Sequence, residues 1–102
     1  MISTNVEALA DMQRVQPGTL GRILFWEQGK FGEAAGIIVT VRTYDTGEEV
    51  DIYYAGDGCI SLMCNNSGTQ SHFCVYDDEY RGMKNAEILP AMYRRCPLEQ
   101  ED

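Results

Sequence analysis

Cys59, Cys64, His72 and Cys74 are the only cluster in this 102-residue chain with metal-site chemistry, since three thiols and an imidazole would suit zinc. Their spacing, Cys-x4-Cys and then His-x-Cys, is not that of the usual zinc knuckles. If both segments are strands, alternation puts Cys59, His72 and Cys74 on one face and Cys64 on the other. A complete site would then need Cys96 or Asp57 as a further ligand. The spacing therefore predicts no metal, and without a secretory signal Cys59, Cys64, Cys74 and Cys96 are expected as reduced thiols.

His72 is also the only histidine, so any cysteine or serine nucleophile would have to use it as base. It shares a strand face with Cys74, but no third group that would orient it can be identified. The paired carboxylates Glu48-Glu49 and Asp77-Asp78 fall in turn-like, solvated segments, whereas a glycosidase pair needs a pocket that desolvates one of them. Gly29-Lys30-Phe31-Gly32 has neither the glycine spacing nor the Lys-Ser/Thr ending of a phosphate-binding loop. The expectation is a chain with no catalytic residue and no cofactor, that is, not an enzyme.

The remaining signal is charge. The formal net charge is −8, and residues 1–51 and 52–102 each carry four basic against eight acidic side chains. Nucleic-acid binding draws most of its strength from Lys and Arg on phosphates, so a chain of this sign is not expected to bind nucleic acid directly. It favours a protein with a basic surface instead, on which ordered carboxylates act as a nucleic-acid mimic. The candidate contacts are Asp45, Glu48 and Glu49 in one turn and Asp77, Asp78 and Glu79 in another, with Tyr53 and Tyr80 as apolar anchors.

No apolar run approaches the ~20 residues of a membrane span. Met1-Ile2-Ser3-Thr4-Asn5 lacks the basic and then apolar start of a secretory signal. The expected location is cytoplasmic, with no membrane partner.

The elements that would position these groups are mostly strands. Thr4-Asn5-Val6-Glu7 reads as a capping box opening a helix over 5–14, which Gln16-Pro17-Gly18 ends. Thr19 to Trp26 reads as a strand, and Glu27 to Ala35, with Gly29 and Gly32, as a loop. Around Asp45-Thr46-Gly47-Glu48, Ile37, Val39 and Val41 alternate with polar neighbours, as do Val50, Ile52 and Tyr54. An even-numbered loop pairs Val41 with Ile52, Val39 with Tyr54 and Arg42 with Asp51. It puts the valines, Ile52 and Tyr54 inside, and Arg42, Asp51 and Tyr53 outside. A three-residue loop would place the Asp51 carboxylate among the valines, which costs far more than any turn preference. A second hairpin joins 59–64 to 71–76 through Asn65-Asn66-Ser67-Gly68, setting Ile60 opposite Phe73 and Cys59 opposite Cys74. Asp77 to Gly82 follows as a charged turn, then a short strand at 86–89 stopped by Pro90.

The fold class this implies is mainly β: a helix over 1–16, an antiparallel domain of about five strands over 17–90, and an acidic, partly ordered tail over 91–102. The domain forms a small barrel or a strongly twisted sheet. Pro17-Gly18-Thr19, Gly36-Ile37-Ile38-Val39-Thr40-Val41, Val50-Asp51-Ile52-Tyr53-Tyr54 and Asn85-Ala86-Glu87-Ile88-Leu89 follow one another in an order that resembles an SH3-like barrel of the KOW type. The resemblance implies a docking module without chemistry. Few basic residues flank the loops, unlike the KOW pattern. Phe25, Trp26, Tyr44, Tyr53 and Tyr54 supply aromatics of the kind that line peptide grooves. The leading expectation is a non-enzymatic protein-binding module, an inhibitor or adaptor of the phage-accessory kind. The alternatives are a self-assembling structural β protein, a homo-oligomer, and a zinc-stabilised domain.

Overall fold

The structure, a computed structural model, describes residues 14–31, 34–55 and 58–96. The expected helix over 5–14 therefore falls almost wholly outside the described residues. Arg14 and Val15 are helical, and the chain turns at Gln16, whose φ of 52° is left-handed, into a 3₁₀ turn at Pro17–Thr19.

Five strands follow: β1 (Gly21–Phe31), β2 (Ala34–Thr43), β3 (Glu49–Tyr54), β4 (Cys59–Cys64) and β5 (Gln70–Cys74). Each pairs antiparallel with the next, in the order β1-β2-β3-β4-β5. The sheet is an open meander with β1 and β5 at its edges. It is not the closed barrel that the SH3-like resemblance implies.

Alternation along β2 and β3 settles the faces. Val39, Val41, Val50 and Ile52 have no exposed surface and Tyr54 has 1%, while Arg42 is exposed and Asp51 and Tyr53 are half-buried. The register differs from the expected one by two residues, with Val41 opposite Val50, Val39 opposite Ile52 and Arg42 opposite Glu49. The reason lies in the loop. Thr43 N–H donates to Glu48 O and Gly47 N–H to Thr43 O, with Gly47 at φ 76°, so the reversal takes only the four residues Tyr44 to Gly47. A shift of two keeps every side chain on its face, which is why the inside and outside assignments survive. In the second hairpin Cys59 is opposite Cys74 and Ile60 opposite Phe73, as expected.

β1 is longer than its apolar residues suggest. Glu27 to Phe31, expected as loop, pair with Ile38 back to Ala34. This half of the strand is held by its backbone ladder, so it shows no alternating apolar pattern. Gly36 in β2 meets the Tyr54 carbonyl so closely that a Cβ there would lie 1.9 Å from that oxygen. The strands can pair at that point only with glycine.

The largest departure from the sequence reading is at the C-terminal end. Asp78–Arg81 forms a single helical turn (α1), and Asn85–Arg94 forms a helix (α2) where a strand over 86–89 and a tail from 91 were expected. Lys84 N–H donates to the Glu87 carboxylate at 3.2 Å, closing the first turn of α2. Ile88, Leu89, Met92, Tyr93 and Cys96 then recur at helical spacing, and all are buried. Pro90 removes one hydrogen bond from the helix, a penalty of about 3 kcal/mol. Burying four large side chains at roughly 1.5–3 kcal/mol each exceeds it. Their partners are Ile37, Val39, Val41, Val50, Ile52, Tyr54, Ile60 and Leu62, in one core that also takes in Val15, Leu20, Val75 and Tyr80.

Ile52→Ala should cost about 2–5 kcal/mol of stability in urea titration. Arg42→Ala, which breaks only the half-exposed pair with Glu49, should cost less than about 1 kcal/mol. Comparable losses at the two positions would contradict the assignment of faces.

Candidate partner-binding surface

The acidic side chains expected to form the contact are dispersed by the fold, and several are committed to the molecule itself. Glu48 is half-buried and accepts from Tyr93 Oη at 2.5 Å, from Thr46 Oγ1 at 3.4 Å and from Cys64 Sγ at 3.4 Å. It ties the β2–β3 turn to α2 and β4. Glu49 pairs with Arg42 at 2.7 Å, Asp78 with Arg81 at 3.2 Å, and Glu79 with Arg95. Asp45 is exposed but shares an open cleft with Arg94, Tyr44, Pro90 and Tyr93. Asp77 is exposed at the start of α1.

Tyr80 is 2% exposed, packs edge-on against Phe73 with ring centres 6.4 Å apart, and belongs to the core. It cannot anchor a partner. The helical turn Asp78–Arg81 rotates it inward, a consequence invisible while this segment is read as a turn. Tyr53 stays half-buried on the sheet face away from α2, where burial first and then the Asp51 charge raise its pKa. One acidic turn joins β2 to β3 and the other follows β5, and the C-terminal end of α2 reaches both through Tyr93 and Arg95.

The same face of the sheet carries the cysteine and histidine chemistry. Ser61 Oγ and His72 Nδ1 are in hydrogen-bond contact at 2.6 Å, and Thr40 Oγ1 donates to Asp51 Oδ1 at 2.7 Å. Ser61 is only 4% exposed, so its hydroxyl is largely screened from solvent. Cys59 and Cys74 lie on this face and Cys64 on the other, as alternation requires. Among the described residues, no three His, Cys, Asp or Glu side chains come together closely enough to hold a metal ion. No described helix is long and apolar enough to cross a membrane.

Among the described residues, three of the five exposed large apolar side chains lie together on the edge strand β1, the others being Tyr44 and Tyr76. Ile23 is 43% exposed, Phe25 55% and Trp26 53%. Ile23 is opposite Val41 and Phe25 opposite Thr40, which leaves Leu24 as an extra residue in a β-bulge. The bulge reverses the parity of the strand. Ile23 and Trp26 therefore both project on the α2 side, opposite Val41 and Val39, while Phe25 projects on the other face. Apolar side chains thus bracket the edge from both faces, and no described strand pairs with its outer side. Phe25 and Trp26 stand out in the sequence as aromatics, but nothing there announces the bulge or shows that the strand lies at an edge.

Tyr93 and Tyr80 carry a pH signature. Burial first, then the hydrogen bond to Glu48, pushes Tyr93 up from 10.0 to about 12; burial and the bond to Glu79 do the same for Tyr80. A raised phenol pKa means that the folded state holds the proton more tightly. This stabilisation is complete below about pH 10 and is lost as pH climbs to about 12. Unfolding free energy should therefore fall across that window, and Tyr93→Phe should flatten the fall. An equal fall in the variant would contradict the coupling.

Comparison with protein families, with curated proteins and with solved structures finds no match for this chain.

Proposed function

We propose that this protein is a non-enzymatic binding module, an inhibitor or adaptor working in the cytoplasm, that captures an extended basic segment of a partner protein on the edge of β1. One observation carries the reading: three large apolar side chains, each roughly half-exposed, crowd four consecutive positions of an 11-residue edge strand. Such an edge offers a row of backbone donors and acceptors to another strand, and soluble proteins usually blunt it with charge, proline or a cover. Here β1 has no proline, and its charges, Arg22, Glu27 and Lys30, flank positions 23–26 without interrupting them. An added strand would take its affinity from main-chain hydrogen bonds and its selectivity from Ile23, Phe25 and Trp26.

The net charge of −8 supports a basic partner. With Glu48, Glu49, Asp78 and Glu79 engaged internally, the acidic surface acts as a long-range field that speeds encounter, and the apolar edge supplies the anchor. In this reading the carboxylates of Asp45 and Asp77 steer and do not grip.

Self-association through the same edge is the second reading. Arg22 and Glu27 fall on one face, and Ile23 and Trp26 on the other, because of the bulge. Two antiparallel copies of β1 could therefore set Arg22 against Glu27 and Ile23 against Trp26.

Trp26 is the only tryptophan and reports directly on the edge. Titration with an extended peptide of alternating Lys and Val should shift its emission to shorter wavelength and perturb the amides of 21–31. Raising the salt should weaken binding, and Trp26→Ala should weaken it by about tenfold or more. Salt-independent binding, or perturbation of β5 in place of β1, would contradict the proposal. A concentration-dependent dimer that Trp26→Glu dissociates would select the second reading.

A further inference from the structure

The four cysteines sort into two neighbouring pairs on opposite faces of the sheet. Cys64 and Cys96 are buried together against Phe73, whereas Cys59 is exposed and Cys74 partly so. Cys59 and Cys74 stand directly opposite each other in the β4–β5 ladder.

The ends of that ladder fix the kind of pairing. Val75 N–H donates to Gly58 O at 2.9 Å, and Cys64 N–H donates to Thr69 O at 3.1 Å. Gly58/Val75 and Cys64/Thr69 are therefore hydrogen-bonded positions, and the two kinds alternate along an antiparallel ladder. Even-numbered residues of β4 occupy the hydrogen-bonded positions, so Cys59 and Cys74 form a non-hydrogen-bonded pair. Such pairs hold their Cα atoms about 4.5 Å apart with side chains close on one face, inside the roughly 4.4–6.8 Å that a disulfide spans. The next pair of this kind on the same face is Ser61 and His72, whose side chains meet at 2.6 Å.

We propose that Cys59 and Cys74 form a cross-strand dithiol that is a site of reversible oxidative modification by low-molecular-weight disulfides. The Cys59 thiolate, the more exposed, attacks one sulfur of the small disulfide; the S–S bond breaks and one small thiolate leaves, taking up a proton. The Cys74 thiolate then attacks the Cys59 sulfur of the mixed disulfide and expels the second small thiolate, which is protonated in turn. Two protein thiols are oxidised to one disulfide, and one small disulfide is reduced to two thiols. β2 and β3 separate this site from the edge strand β1, so it stands independently of the proposed docking function.

Incubation of the native chain with oxidised glutathione, followed by intact-mass measurement and peptide mapping without reduction, tests the site. The chain should lose two hydrogens and yield a single Cys59–Cys74 linked peptide. Cys59→Ser and Cys74→Ser should each lose the bridge entirely and stop at one glutathione adduct. Adducts persisting at both cysteines of the native chain, a bridge to any other cysteine, or an unmodified chain would overturn the proposal.

Discussion

The structure depends on burying one face of an antiparallel sheet. Ile37, Val39, Val41, Val50, Ile52, Tyr54, Ile60 and Leu62 present a continuous apolar surface that water would penalise heavily if left open. α2 supplies the cover, and its need to do so overrides the local preference of Pro90 against a helix. Once that face is closed, strand alternation decides what remains for other uses. The opposite face receives Thr40, Asp51, Tyr53, Ser61 and His72, paired across strands. The edge of β1 is left with apolar groups that the core does not need.

Charge is used at two scales. Close to the surface it holds the fold together, as Glu48 gathers Tyr93, Thr46 and Cys64 and as Arg95 meets Glu79. The exposed pairs add little stability each, and they commit Glu49, Asp78 and Glu79 to the molecule itself. What the surplus of eight negative charges retains is reach, screened over about 8–10 Å at ordinary salt. On the proposed reading, charge steers the partner and the apolar edge of β1 holds it.

Much of the sheet was legible in the sequence because parity is a strong constraint. Placing Asp51 among valines is costly enough to exclude odd loops, which fixed the faces of β2 and β3 correctly. The exact register was not fixed, because loops of four and six residues share that parity and differ only in local turn geometry. Pro90 hides the helix α2 in the sequence, although Ile88, Leu89, Met92, Tyr93 and Cys96 have helical spacing. The apolar edge was missed for a different reason: a bulge at Leu24 and the end of a sheet are properties of pairing, which no short stretch of β1 displays. One turn of helix at Asp78–Arg81 is enough to bury Tyr80, and nothing in its sequence neighbourhood signals that turn.

α2 closes one face of the sheet over Cys64 and Cys96, while Cys59 and Cys74 on the other face reach solvent, and the rates at which the native cysteines react with iodoacetamide separate the two. Cys59 and Cys74 are predicted to alkylate in the folded protein, with Cys64 and Cys96 reacting only as fast as the whole chain unfolds. Alkylation of Cys64 or Cys96 as fast as Cys59, with the fold intact, would show that α2 does not close that face.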